Sequence, residues 1–126
     1  MKKIITTTNA PAPIGPYSQA ILTGNTLYTS GQIAINPETG ELVMDDIKSE
    51  AEMVMKNIKG ILDEVGMTFE HVIKTTIFLS DMNNFSQVNE VYGSYFNEET
   101  APARETVAVA ALPKFVNVEI SVIAVK

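Results

Sequence analysis

The sequence predicts one α+β domain over residues 1–126, ordered β-β-β-α-β-α-β-β, with both helices on one face of a single sheet. Three observations carry that prediction. Residues 47–65 repeat apolar side chains at three- and four-residue spacing, which builds one face of a long helix. Six short segments rich in Val, Ile and Thr lie between clusters of Gly, Pro and Asn, which reads as strands separated by turns. No shift in composition marks a linker, and no repeat of solenoid length appears.

The elements follow in chain order. Residues 3–7 read as a short edge strand. Residues 9–16 hold three prolines and a glycine, so an irregular and rather rigid loop is expected there. Tyr17 and Ser18 lead into a strand at 19–23, Gly24-Asn25 supplies a hairpin turn, and a second strand runs over 26–31. Asn36-Pro37-Glu38-Thr39-Gly40 forms another turn cluster. In the 47–65 helix the apolar face is Ile47, Ala51, Val54, Ile58, Ile61, Leu62 and Val65. Asp45 and Asp46 offer N-cap chemistry, and Gly66 stands where a helix end favours glycine.

Residues 71–80 are apolar in both phases, so a strand covered on both sides is expected. A second helix is predicted over 84–96, turning Phe85, Val88, Tyr92, Tyr95 and Phe96 inward. Strands at 104–111 and 117–125 complete the sheet. In the last one Val118, Ile120, Val122 and Ala124 share a face, yet Ile123 and Val125 make the other face apolar too. Helices cover only one side, so the second is expected to be buried against other subunits.

Composition removes several classes of function. Fifteen acids against nine bases give a net charge of −6, and the lysines are scattered. Nucleic-acid binding, which wants a basic stripe, is disfavoured. The longest apolar run, 107–112, is far short of a membrane span, and Lys2-Lys3 precedes no apolar signal region; a cytoplasmic protein is expected. With no cysteine there is no thiol nucleophile, disulfide or thiolate metal site. His71 is the single histidine, so paired-histidine metal motifs are absent and a structural role is expected for it. No glycine-rich phosphate loop or dinucleotide fingerprint occurs, and neither metal nor cofactor is expected.

Two charges stand out. Arg104 is the only arginine and precedes an apolar strand. Its guanidinium is a fixed fork that fits a carboxylate bidentately, which points to an anion supplied by the protein or by a ligand. Strand alternation sets Arg104 with Thr106 and Ala108 and turns Glu105 away, so the neighbouring acid is a poor partner. Glu119 is embedded in Val118-Glu119-Ile120. It reads as an exposed alternating position or lysine partner, or as a desolvated carboxyl suited to proton transfer. Asn89 lies beside the apolar stripe of the second helix, as a satisfied amide or a ligand contact. Tyr17 and Ser30-Gly31 combine a half-wet aromatic, a hydroxyl and a close-approach glycine, which suit a turn or a small polar ligand.

Taken in order, Asn9-Ala10-Pro11, Ile14-Gly15-Pro16-Tyr17-Ser18, Thr29-Ser30-Gly31-Gln32-Ile33, Val72-Ile73-Lys74-Thr75-Thr76, Val88-Asn89 with Tyr92, Pro102-Ala103-Arg104, Leu112-Pro113-Lys114 and Val118-Glu119-Ile120 resemble the Rid family of enamine/imine deaminases, also called YjgF/UK114. The resemblance covers essentially the whole chain and is closest to the arginine-bearing RidA subgroup. It implies a chorismate-mutase-like fold assembled as a homotrimer with clefts between subunits, the apolar sheet face lining the trimer centre. It further implies hydrolysis of 2-iminopropanoate (from 2-aminoacrylate) and 2-iminobutanoate to 2-keto acids and ammonia without a cofactor. By this likeness Arg104 would clamp the substrate carboxylate, and Glu119 would position or polarise water. Tyr17, Ser30, the Gly31 backbone and Asn89 would shape the pocket, and the Thr106 backbone would meet the substrate nitrogen. Thr106 stands where many relatives have cysteine, and Glu105 is bulkier than the small residue common there. Two other functions are carried alongside: a non-enzymic binder of keto or amino acids, and a translation-inhibiting ribonuclease, which the acidic charge disfavours.

Overall fold

A computed structural model describes residues 1–126 and contains the predicted element order: β1 (Lys2–Ile5), β2 (Ala20–Thr23), β3 (Thr26–Thr29), α1 (Ile47–Glu64), β4 (Val72–Leu79), α2 (Phe85–Gly93), β5 (Ala103–Ala108) and β6 (Val118–Val125). The strands form one sheet in the order β1-β2-β3-β6-β4-β5. Every neighbouring pair is antiparallel except β4–β5, which is parallel because α2 carries the chain back between them. Both helices contribute to one core with a single sheet face, including Ile58, Ile61 and Leu62 of α1, Val88 and Tyr92 of α2, and Ile77, Ile120 and Val122 of the strands.

The caps act where the sequence places them. Asp46 accepts from the Ser49 amide at 2.7 Å, and Gly66 closes α1 with a φ of 70°. The β2–β3 hairpin turns through Gly24 at a φ of 57°. The edge strand predicted over 3–7 stops at Ile5, and three later elements also end early, each for a local reason. The second helix stops at Gly93 because the Ser94 hydroxyl takes the Val91 carbonyl at 2.6 Å, and the Tyr95 and Phe96 amides close back on residues three earlier. Phe85, Tyr95 and Phe96 still pack against the core. The strand predicted over 26–31 leaves the β6 ladder after Tyr28, while the Ser30 amide bonds on the β2 side to the Gln19 carbonyl. The strand predicted over 104–111 ends at Ala108, level with the last residue of its only strand partner, β4.

The two-sided cover expected for residues 71–80 is absent from a single chain. Val72, Thr75, Ile77 and Leu79 are buried, whereas Ile73 is exposed and Phe78 only half-buried. The same open face carries Tyr28 and Ile123, which are cross-strand partners. On β6 the alternation is strict: Val118, Ile120, Val122 and Ala124 are buried, and Glu119, Ser121, Ile123 and Val125 are not.

One charged group lies inside the fold. Glu50 of α1 is fully buried and accepts from the Asn117 amide, the Asn117 side chain and the Val118 amide at 2.7, 2.8 and 3.1 Å. These bonds tie the start of β6 to α1. Glu50→Ala leaves those donors without their acceptor, and chemical denaturation is expected to show a loss of about 3 kcal/mol.

Candidate active site

Arg104 sits on the edge strand β5, opposite Thr75 of β4, and Thr75 is buried under the helices. Paired residues share a face, so the arginine projects on the helix side of the sheet. There its guanidinium lies 5.1 Å from the Tyr92 ring centroid and 5.5 Å from that of Phe85, within cation–π range. Its Nη1 donates to Asn89 Oδ1 at 2.6 Å. Tyr92 is itself fixed by donating to Thr75 Oγ1 at 3.0 Å. Two rings and an amide therefore orient the fork without neutralising it. The chain's three ion pairs are Lys48–Glu90, Lys59–Asp63 and Lys74–Glu105, and none includes Arg104. Glu105 points to the open face and meets Lys74 at 3.0 Å, in keeping with the strand alternation. A groove of about 670 Å³ opens at Arg104, walled by Asn89, Tyr92, Phe96, Glu98 and Pro102.

Glu119 occupies the reverse side. It pairs with Phe78 of β4 on the open face. It lines a cavity of about 350 Å³ with Tyr17, Ser30, Gly31, Gln32 and Pro113. Its carboxylate forms no ion pair, and burial raises its pKa above the ordinary value. Gly31 permits this packing: a Cβ there would stand 2.6 Å from Glu119 Oε2. Ser30 donates its hydroxyl to the Ser18 carbonyl at 2.5 Å, so it fixes the loop and offers a ligand only its acceptor side. The Tyr17 ring is half-exposed at the mouth, and its hydroxyl accepts from the Ile14 amide at 3.4 Å.

The predicted residues thus form two groups. Tyr17, Ser30 and Gly31 gather with Glu119, while Asn89 gathers with Arg104. Thr106 shares the Arg104 face, opposite Ile77, and its buried hydroxyl has no hydrogen-bond partner. One chain does not bring the two groups together, since β4 separates the strands that carry them and the side chains leave opposite faces. His71 is taken up by structure: its Nδ1 accepts from the Thr68 amide at 2.9 Å.

Sequence reasoning missed Gln19. It is almost fully buried and holds the proline-rich loop, accepting from the Thr7 amide at 2.7 Å and donating to the Thr7, Ala10 and Pro11 carbonyls at 2.9, 3.1 and 2.9 Å. An amide next to that loop was the available signal, because a loop with three prolines cannot satisfy its own carbonyls.

Fold and geometry define a single-domain α+β protein whose sheet carries a free guanidinium on one face and a desolvated carboxyl on the other. The profile of the Endoribonuclease L-PSP family matches residues 7–126, and the chain belongs to that family, also known as Rid or YjgF. The 2-iminobutanoate/2-iminopropanoate deaminase of Mus musculus is 48% identical over 126 residues, spanning 100% of this chain and 93% of its own. A Rid family protein of Yersinia pestis, of unknown function, superimposes with a TM-score of 0.96 at 52% identity over the full length of both chains. Escherichia coli TdcF, solved with bound serine, superimposes with a TM-score of 0.92 at 44% identity over 98% of each chain. The solved relatives share the fold, and deamination is supported as the class of activity. No helix is long and apolar enough to cross a membrane.

The raised pKa of Glu119 makes a prediction about stability. Because the folded value lies above the unfolded one, the fold holds the proton on this carboxyl more tightly than the unfolded chain does. The resulting stability is fully present below the unfolded value of about 4 and is lost as pH rises through the folded value. Glu119→Gln is expected to gain melting temperature over wild type as pH goes from about 4 to 7. Thermal scans showing a constant difference across that range would contradict the assignment.

Proposed function

We propose that the chain is a cofactor-independent hydrolase of reactive 2-imino acids, with 2-iminopropanoate and 2-iminobutanoate as the substrate class. The observation that carries this reading is a pair of unneutralised groups, the Arg104 fork and the Glu119 carboxyl, in a family with deaminase-named members. Because they lie on opposite faces of one chain, the working site is a cleft in which one chain supplies Arg104 and Asn89. A second chain supplies Tyr17, Ser30, Gly31 and Glu119. The exposed Ile73 and Tyr28 on the open face support assembly through that face, and a homotrimer closes such head-to-tail contacts.

The chemistry asks little of the protein. Arg104 binds the substrate carboxylate bidentately, held flat by Phe85, Tyr92 and Asn89. The C=N carbon is electrophilic, so water attacks it once positioned. Glu119, as the carboxylate, accepts a proton from that water and returns it to nitrogen. The carbinolamine then collapses to a 2-keto acid and ammonia, so imine plus water equals keto acid plus ammonia. Desolvation of Glu119 favours this role by keeping its proton affinity high. Thr106 lies beside Arg104 on an edge strand, where backbone groups facing away from β4 are free to meet the substrate nitrogen.

The test generates the imine with a pyridoxal-phosphate-dependent threonine dehydratase and follows its lifetime by trapping with semicarbazide. Wild type is expected to outcompete the trap. Arg104→Ala is expected to lose about 100-fold in kcat/KM, because the carboxylate loses its only cationic partner. Arg104→Lys restores only part of it, lacking the fork. Wild-type protein that binds a keto acid yet leaves the imine at its spontaneous rate would identify a non-enzymic binder instead.

A further inference from the structure

Beyond the groups that face the ligand, α1 carries two buried polar side chains seven residues apart, Glu50 and Asn57, and therefore nearly on one side of the helix. Glu50 holds the backbone of Asn117 and Val118, immediately before Glu119. Asn57 holds the backbone of another part of the Glu119 cavity. Its Nδ2 donates to the Ile33 carbonyl at 3.2 Å and the Ile35 carbonyl at 2.9 Å. Both isoleucines line that cavity, as do Gly31 and Gln32 just before them. Gln32 is paired with Ile120 of β6, amide to carbonyl at 2.8 Å and the reverse at 3.1 Å. Segment 31–35 is therefore strung between β6 and α1, and it passes so close to Glu119 that a Cβ at Gly31 would force the Glu119 side chain to shift.

Asn57 is 1% exposed and its Oδ1 has no hydrogen-bond partner. The two facing carbonyls fix the nitrogen on their side, so a flipped amide would set oxygen against oxygen. A leucine would fill the space without the orphaned amide oxygen, which costs about 1–3 kcal/mol, but it would take the side-chain donor away from the Ile33 and Ile35 carbonyls. Retaining an amide here makes sense only if holding the Ile33 and Ile35 carbonyls matters more than the orphaned oxygen.

We infer that Asn57 is a positioning residue: through the Ile33 and Ile35 carbonyls it sets how closely segment 31–35 covers Glu119, and so how dry that carboxyl is. Its effect on turnover rests on the deaminase reading, whereas its effect on Glu119 does not. Tyr17 is the only other titratable side chain lining the cavity, and no cation pairs with Glu119, so cover by segment 31–35 is the variable that Asn57 controls.

The experiment is an NMR titration of the Glu119 side-chain carboxyl in 13C-labelled full-length protein, with the signal assigned by its loss in Glu119→Gln. In Asn57→Leu the Ile33 and Ile35 carbonyls lose their side-chain donor, and segment 31–35 is expected to lift. The Glu119 midpoint is expected to fall toward the ordinary carboxylate value by about half a pH unit or more. In the imine assay kcat is expected to drop about tenfold with KM within about twofold, because Arg104 and its partners are untouched. Asn57→Ser, which keeps one donor, gives an intermediate midpoint and carries the test if the leucine variant does not fold. A Glu119 midpoint unchanged from wild type in either folded variant overturns the inference, whatever happens to stability. Wild type without imine hydrolysis would remove the deaminase reading and leave the titration result to decide the role of Asn57.

Discussion

Strand alternation across β6, β4 and β5 is the constraint on which the rest of the account depends. It sends Arg104 to the helix side of the sheet and Glu119 to the open side. The chain's single arginine and its most conspicuous half-buried acid are thus kept from neutralising one another. Neither pairs with another charge. Arg104 rests on two rings and an amide oxygen, and Glu119 lies against the backbone of a glycine. A guanidinium held in place without an anion is preorganised for a ligand's carboxylate, since the orientation is already fixed before binding.

The scaffold explains how such groups are kept in position. Aromatic packing among Phe69, Tyr92, Tyr95 and Phe96 anchors α2 over β4, which in turn places Phe85, Asn89 and Tyr92 beneath Arg104. On the other side Gln19 ties down the proline-rich loop, while Glu50 and Asn57 tie β6 and segment 31–35 to α1. The carboxyl half is therefore held by buried hydrogen bonds that reach across the sequence, the arginine half by stacked rings and the Tyr92–Thr75 bond, and no loose loop carries precision. The open face supplies what a single chain lacks, a large apolar surface that another copy can cover.

Much of this was legible in the sequence. The 3.6-residue repeat of α1, its Asp46 cap and its Gly66 terminus are local signals, and they read correctly. So did the alternation in β6, which displays the buried and open faces residue by residue. Element ends were harder. Ser94 ends α2 by capturing a carbonyl, and Ser30 leaves β3 by pairing with the β2 side, choices that propensity does not encode. The apolar second phase of β4 was visible, but within the chain its Ile73 stays exposed and its Phe78 half-buried. Arg104 and Glu119 were conspicuous as charges among apolar neighbours. Glu50 and Asn57 were silent, because their partners lie 22 to 68 residues away and only the fold reveals them.

If one working site needs two chains, as proposed, subunit complementation reveals it. Arg104→Ala and Glu119→Gln chains, each purified alone, are mixed, unfolded and refolded together, and imine hydrolysis is measured. The account expects each variant to be inactive alone and the mixture to recover about a quarter of wild-type activity, since random assembly pairs an intact arginine half with an intact glutamate half at that frequency. A mixture as inactive as its components, despite forming mixed oligomers, would show that both groups act within one chain and would contradict the account.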